Sequence, residues 1–378
     1  MTYKRVLNIP ELLKRKSFFL FGPRSTGKTT LVHQQLSNVM IYDLLRAKTY
    51  SRLLKNPELI EQEYIEGKTV VIDEIQKLPA ILDEVHRLIE KRGITFLLTG
   101  SSSRKIKHGG ANLLAGRAWS ASLFALTYQE IDDFNLDRYL NYGGLPQVYT
   151  SEYPEEELIS YVGTYLQEEI KAEAVTRNIQ AFAEFLEIVA LSNGCELNYQ
   201  SFADDCQVSP NTIKNYLQIL EDTLLGFPLR AYKKTKKRKA ISRSKFYLFD
   251  IGVTNYLARR SRIKSRSKEY GDVFEHFIML EVRAYLSYLR KRSPMYYWRS
   301  TSGTEVDLIL DDQLAIEIKS TEFVQSRHLK GLRALKEEGL ISRYMVVSHD
   351  ERKRITDDGI EIMPWELFLR NLWEDKLL

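Results

Sequence analysis

Nine consecutive residues, Gly22-Pro23-Arg24-Ser25-Thr26-Gly27-Lys28-Thr29-Thr30, constrain this chain more than any other stretch. They read G-x-x-x-x-G-K-[ST], and they stand between an apolar run, Ser17 to Phe21, and a segment of helical spacing, Leu31 to Leu36. A strand, a curled loop and a helix are therefore expected in that order. The two glycines let the backbone turn until its N–H groups converge on phosphate oxygens, and the new helix adds its positive N-terminal end. Lys28 is placed to reach the β- and γ-phosphates of a nucleotide. Thr29 would offer a hydroxyl to Mg²⁺, an ion that keeps most of its waters and takes few protein ligands. An ordinary glycine-rich turn would lack these flanks.

A second segment supports the first. Lys68-Thr-Val-Val-Ile-Asp73-Glu74 lies about 45 residues after Lys28, and its β-branched run reads as a fully buried strand delivering two carboxylates at its tip. Asp73 would hold Mg²⁺ through water, and Glu74 would orient or deprotonate an attacking water. Another buried strand, from Ile94, ends in Thr99-Gly-Ser101-Ser-Ser. Thr99 or Ser101 would contact the attacking water or the γ-phosphate, and the sequence does not choose between them. Arg117, just before the strand Ala118 to Leu126, points out of the module. From there it would enter a neighbouring subunit's site, or else form a surface salt bridge or contact nucleic acid. Three helices complete this part of the reading: residues 1–16 with Leu12 and Leu13 inward, Leu53 to Glu66, and Pro79 to Arg92.

At 378 residues the chain is long enough for two or three domains, and 44% hydrophobic with 28% charged residues is an ordinary globular composition. Two cysteines, Cys195 and Cys206, exclude a disulfide framework and a cysteine zinc site, and fit a reducing compartment. No apolar run approaches the length of a membrane span, and the first residues lack a signal-peptide pattern, so a cytoplasmic protein without membrane contact is expected. The formal net charge of +5 is uneven. Arg230 to Lys268 holds 15 Lys or Arg against one acid, Asp250, so that span carries +14 and the rest of the chain −9. Such an island suits a polyanion, with a solvated charge run as the plain alternative.

The order of these motifs, with Ala115-Gly-Arg117 and Tyr142-Gly-Gly-Leu-Pro146, resembles the prokaryotic AAA-type ATPases that carry a restriction-nuclease-like C-terminal domain. The resemblance implies an α/β fold with a five-stranded parallel sheet in the order 5-1-4-3-2, followed by a helical lid. It also implies ATP as ligand, Mg²⁺ as cofactor and, through Arg117, a homo-oligomer. The divisions would be 1–128 for the ATPase core, 129–177 for the lid, 178–240 for a winged helix and 241–378 for the nuclease-like domain. The lid would hold helices Gln129–Tyr139 and Glu155–Glu173, without an arginine suited to a second sensing role.

Residues 178–229 resemble a winged helix. Helices are expected over Ala181 to Leu191, Tyr199 to Cys206 and, after the Ser209 cap and Pro210, Asn211 to Leu225. Ile213, Leu217, Leu220 and Leu224 share the inner face of the third, while Asn211, Thr212, Lys214, Asn215 and Gln218 suit phosphate and base-edge contact. Gly226 to Tyr232 reads as a wing strand, giving a DNA-contacting region over residues 209–245.

From Phe246 onward a strand and turn lead to a long helix, Gly271 to Arg290, carrying Glu275. An aromatic strand, Pro294 to Arg299, follows. Then comes a hairpin, Glu305-Val-Asp307-Leu-Ile-Leu310 and Leu314-Ala-Ile-Glu317-Ile-Lys319. Burying Val306, Leu308 and Leu310 with Leu314, Ile316 and Ile318 sets 308 opposite 316 and Asp307 opposite Glu317. The spacing D-x₉-E-x-K resembles the PD-(D/E)XK nucleases, with Val306 in place of proline and Glu275 as a helical acid. That resemblance implies Glu275, Asp307 and Glu317 as metal ligands and Lys319 as the residue that positions a hydroxide. The main reading is an ATP-hydrolysing ATPase coupled to DNA engagement, with metal-dependent cleavage as an added activity. Two others stay open: an ATP-switched DNA-binding or scaffold protein whose C-terminal acids do no chemistry, and a signalling ATPase whose basic island binds protein or RNA.

Overall fold

The computed structural model describes residues 3–102, 104, 114, 116–166 and 179–378. β1 (Ser17–Phe21), β2 (Val39–Asp43), β3 (Thr69–Asp73), β4 (Phe96–Gly100) and β5 (Ala118–Ser122) form one parallel sheet in the order β2-β3-β4-β1-β5. Every residue of β1 and β4 is buried, as expected of central strands covered on both faces. On one face Phe19, Ile72 and Leu98 meet Val85 and Leu88 of the helix Leu82–Arg92. On the other, Phe18, Leu20 and Leu97 meet Leu31 and Val32, together with Ala284 and Tyr288 from far down the chain. Because all five strands run the same way, the residues after Phe21, Asp73 and Gly100 share one edge of the sheet.

Local chemistry shifts several expected boundaries. The helix expected over Leu53 to Glu66 is two, Ala47–Lys55 and Leu59–Glu63. Pro57 disfavours helical backbone at Asn56, which sits at φ −144°, ψ 92°. The leading helix shrinks to Ile9–Leu13, with Leu7 and Ile9 buried and Leu12 and Leu13 only partly so. In the segment expected as a lid, one 3₁₀ turn, Tyr128–Glu130, replaces the start of the expected helix. The helix itself begins at Leu136, where Asn135 Oδ1 accepts the Arg138 N–H at 2.8 Å. Helices Pro146–Thr150 and Pro154–Ser160 and a π-helical turn, Tyr161–Leu166, follow. The expected continuation to Glu173 and the end of the lid near Thr176 lie outside the described residues, as does Ala115.

Three helices, Ile179–Leu191, Tyr199–Asp205 and Pro210–Asp222, then pack on one another. Ser209 Oγ accepts the Thr212 N–H at 3.1 Å, the expected cap. Ile213, Tyr216, Leu217 and Leu220 are buried, and Tyr216 stands edge-on to Phe182 at 4.7 Å between ring centroids. Asn211, Lys214, Asn215 and Gln218 are exposed. Leu224 falls past the helix end, at φ +61° and only partly buried.

The remaining strands are β6 (Gly226–Ala231), β7 (Lys245–Leu248), β8 (Met295–Arg299), β9 (Glu305–Leu310), β10 (Leu314–Lys319), β11 (Arg343–Ser348), β12 (Arg354–Ile355) and β13 (Glu361–Pro364). They build one mixed sheet in the order β12-β13-β11-β10-β9-β8-β6-β7. The expected wing strand, β6, pairs with β7 on one side and with β8 on the other, so the sheet crosses the boundary expected at residue 240. The segment after Leu248, expected as a turn, opens the helix Ile251–Leu257, capped by Asp250 Oδ1 on the Val253 N–H at 3.0 Å. The helix Lys268–Tyr288 covers one face of this sheet, and its far end reaches the first sheet.

Candidate nucleotide site

The loop after β1 is curled by two left-handed residues, Ser25 at φ +60° and Gly27 at φ +91°. A Cβ at Gly22 would lie 2.5 Å from the Leu123 carbonyl oxygen, so only glycine lets the loop leave the sheet beside β5. Lys28 opens the helix Lys28–Gln35, and its ammonium donates to the Gly22 and Pro23 carbonyls at 2.8 and 3.1 Å, folded back over its own loop. Thr26, fully buried, ties its hydroxyl to the Pro23 carbonyl at 2.8 Å. Tyr161, in the segment expected as a lid, reaches the Arg24 carbonyl at 3.4 Å.

The expected carboxylates arrive beside this loop. Thr29 Oγ1 donates to Asp73 Oδ2 at 3.0 Å, which brings together the two oxygens expected on Mg²⁺. The other oxygen of Asp73 accepts from Thr99 Oγ1. A hydroxyl and a carboxylate at this spacing fit a hard cation that retains its waters, and bound there Mg²⁺ would neutralise phosphate charge. Glu74 sits in the left-handed region at φ 60°, ψ 47°, an uncommon conformation for a side chain of its size and a local cost held by its surroundings. Its Oε2 accepts from Gln76 Nε2, which also donates to Ser101 Oγ at 2.9 Å. Of the two hydroxyls the sequence left open, Thr99 thus touches Asp73, and Ser101 reaches Glu74 through Gln76.

Gln76 carried no signal in the sequence beyond its place two residues after Glu74. The Gly100 Cβ position lies 2.6 Å from Gln76 Oε1, so the glycine between Thr99 and Ser101 makes room for that amide. Arg117 sits before β5, at the end of the sheet away from the loop, and pairs with Glu90.

In the second sheet Leu308 faces Ile316 and Leu310 faces Leu314 as expected, but the pairing stops there: beyond an irregularity in the β8–β9 ladder Val306 pairs with Trp298 and packs with Ile309 and Ala315, on the face opposite Leu308 and Leu310, which corrects the face expected for it. Asp307 Oδ2 accepts the Ile318 N–H at 2.7 Å and lies 3.3 Å from Lys319 Nζ, which meets Glu317 Oε1 at 2.7 Å. Burial, then the charge of Asp307, pushes the Glu317 carboxyl well above its ordinary pKa. Glu275 is close enough for its charge to be felt by Asp307, Glu317 and Lys319, and its direct contacts are with β7. Its Oε1 accepts from the Tyr247 hydroxyl at 2.6 Å and lies 3.6 Å from Lys245 Nζ, which pairs with Glu305 at 2.5 Å. Among the described residues no three His, Cys, Asp or Glu side chains are gathered to hold a metal ion, while Asp307 and Glu317, both paired with Lys319, are two carboxylates of the kind that would take Mg²⁺ with its waters.

Lys245 also corrects the picture of an exposed basic island, since it is 5% exposed inside this cluster. Glu338 accepts three successive N–H groups, Lys236, Lys237 and Arg238, at 2.8, 2.9 and 3.0 Å, and Lys234 pairs with Asp312 at 2.6 Å. Part of the +14 is therefore answered within the chain. Lys233, Lys236, Lys239 and Arg243 are exposed.

Residues 14–132 match the family described as AAA domain. The matched residues hold the loop, Asp73, Thr99 and Arg117. Residues 133–264 match a domain of unknown function (DUF8612), and residues 270–368 another (DUF4143). An uncharacterized protein of Mycobacterium tuberculosis is 24% identical over 371 residues, 95% of this chain and 82% of that protein. One of Methanocaldococcus jannaschii is 24% identical over 402 residues, 94% of this chain and 88% of that protein. Among solved structures, the Thermotoga maritima RuvB Holliday junction branch migration motor overlaps 59% of this chain and 86% of its own at 18% identity and TM-score 0.29. The Aeropyrum pernix ORC1 protein in complex with DNA overlaps 67% and 92% at 12% identity and TM-score 0.26. Superpositions that loose say nothing of what this chain binds. No helix among the described residues is long and apolar enough to cross a membrane.

Proposed function

We propose that the protein is an AAA-type ATPase that binds ATP with Mg²⁺ on the Gly22–Thr30 loop, hydrolyses it beside Asp73 and Glu74, and uses the nucleotide state to control DNA engagement. The observation that carries this reading is the join of Thr29, Asp73 and Thr99 through the two oxygens of one carboxylate, next to Lys28. Lys28 would leave its loop carbonyls for phosphate oxygens, Glu74 would orient the attacking water, and Thr99 would hold Asp73 in place. Arg117 would act on a neighbouring subunit's nucleotide in a homo-oligomer. Glu74→Gln tests the assignment: ATP binding should persist while turnover disappears, and unchanged turnover would defeat it.

DNA would meet the exposed face of the helix Pro210–Asp222 and the uncovered lysines of the β6–β7 connection. Affinity should fall with salt, each phosphate-contacting lysine adding about 0.9 to the log–log slope. A flat response would point to a protein partner instead. For the C-terminal sheet the observations favour the reading without cleavage, because Lys245 already neutralises Glu275 and Glu305. Nicking of DNA with Mg²⁺ or Mn²⁺, lost in both Asp307→Ala and Lys319→Ala, would reverse that preference.

A further inference from the structure

Arg5 precedes every element used above, yet its guanidinium joins four parts of the chain. The side chain is 4% exposed, and Nε lies 2.9 Å from Oε1 of Glu130, itself fully buried. That carboxylate is held in turn by the N–H groups of Val6 and Thr127, at 2.9 and 3.1 Å. Nη1 donates to the Thr26 carbonyl at 2.7 Å. Nη2 donates to the Phe124 carbonyl at 2.7 Å and to the Tyr288 hydroxyl at 3.2 Å, and the same hydroxyl oxygen accepts the Phe124 N–H at 3.1 Å.

We propose that Arg5 is a positioning residue of the nucleotide site, which orients the Gly27 amide toward phosphate and ties that amide to the C-terminal domain through Tyr288. The proposal rests on the nucleotide reading above. The carbonyl of Thr26 and the N–H of Gly27 belong to one planar trans peptide and point in opposite directions. Holding the carbonyl beneath the loop turns the N–H to the other side, into the concavity where phosphate would sit. The peptide leads into Gly27, which is left-handed, as is Ser25 just before Thr26, so its orientation in this curled stretch needs a partner. A charge-assisted bond to its oxygen also makes its N–H a stronger donor. Only a planar fork serves these acceptors together; an ammonium would reach some of them.

The second half of the proposal follows from one helix. Tyr288 is the last residue of Lys268–Tyr288, the helix that carries Glu275 of the C-terminal cluster. Thirteen helical positions separate the two residues, roughly 20 Å of rigid rod. Between them Glu281 accepts the Tyr128 N–H and the Trp373 indole N–H, both at 2.8 Å. A shift of the Thr26–Gly27 peptide therefore has a continuous polar and helical path to the second sheet.

The test measures Mg-ATP affinity, steady-state turnover and amide hydrogen exchange on the full chain. Arg5→Ala should weaken binding by about tenfold or more, with KM rising further than kcat falls, and Arg5→Lys should recover part of the loss. In the unaltered chain Mg-ATP should change exchange over residues 281–290, and Tyr288→Phe should still bind Mg-ATP but lose that change. Wild-type affinity in a folded Arg5→Ala overturns the positioning role. If that variant does not fold, wild-type affinity in Arg5→Lys does so. An unaltered chain whose residues 281–290 ignore nucleotide overturns the link through Tyr288. Should the unaltered chain and Lys28→Ala both fail to bind Mg-ATP, the nucleotide reading itself fails and this proposal falls with it.

Discussion

Thr99 Oγ1 donates to one oxygen of Asp73 while the other oxygen of that carboxylate takes the hydroxyl of Thr29 at 3.0 Å. The carboxylate is 6% exposed, and these two hydroxyls fix its plane. Adjacent strands β3 and β4 place the donor and the acceptor at neighbouring tips, an arrangement that no local sequence rule specifies.

Thr99→Val keeps the shape of the side chain and removes its hydroxyl. Turnover should fall by roughly tenfold to a hundredfold, with ATP binding largely kept, since a buried carboxylate loses a donor that orients it. Ser101→Ala, which only loosens Gln76 from its second anchor, should cost less. Steady-state ATP hydrolysis ranks the two, and the reverse order would give the sensing role to Ser101.

Lys245 is the counter-charge for Glu275 and Glu305 inside the C-terminal sheet. Lys245→Met leaves both carboxylates without it and should destabilise the fold by about 3 kcal/mol or more, read from urea unfolding. A change within a few tenths would show that water already serves these acids.

Glu281 gives the molecule a pH slope. Burial, with a smaller push from the like charge of Glu130, raises its carboxyl to about 8 against the hydrogen bonds from Tyr128 N–H and the Trp373 indole. Tyr139 faces the same pocket, its own hydroxyl raised by burial and by Glu281. Between about 4.5 and 8 the folded chain holds a proton that the unfolded chain has released. Stability therefore declines as pH rises through that window and levels off above it, by a total on the order of 5 kcal/mol. Glu281→Gln should flatten the decline in melts between pH 5 and 8, and an unchanged slope would assign it to another group.

Gly252→Ala tests how the turn Tyr142 to Gly144 is fastened to the helix Ile251–Leu257. A Cβ there would lie 2.1 Å from the Tyr142 carbonyl oxygen, while Asp250 Oδ2 already holds the Gly144 N–H at 2.8 Å. Backbone must move, and a loss of about 2 to 3 kcal/mol is expected. Thermal unfolding measures it, and a melting point unchanged within a degree would show that the contact yields freely.

Residues close in the chain wrote most of the first site openly. The loop glycines, Lys28, Thr29 and the strand ending in Asp73 each follow from short-range geometry, and alternation of apolar side chains gives the pairing of 308 with 316 and 310 with 314 but not the face of Val306. Helix ends set by a single cap or proline, as at Asn135 and Pro57, were legible only in part, because several neighbouring residues offered comparable starts. What the tertiary structure alone decided are pairings between distant segments: Thr99 with Asp73, Lys245 among the acids, Arg5 beneath the loop, and β6 joined to β8. A buried charge takes whichever partner the packing brings within reach. That choice depends on burial and on distances across the fold, and neither quantity is carried by residue order.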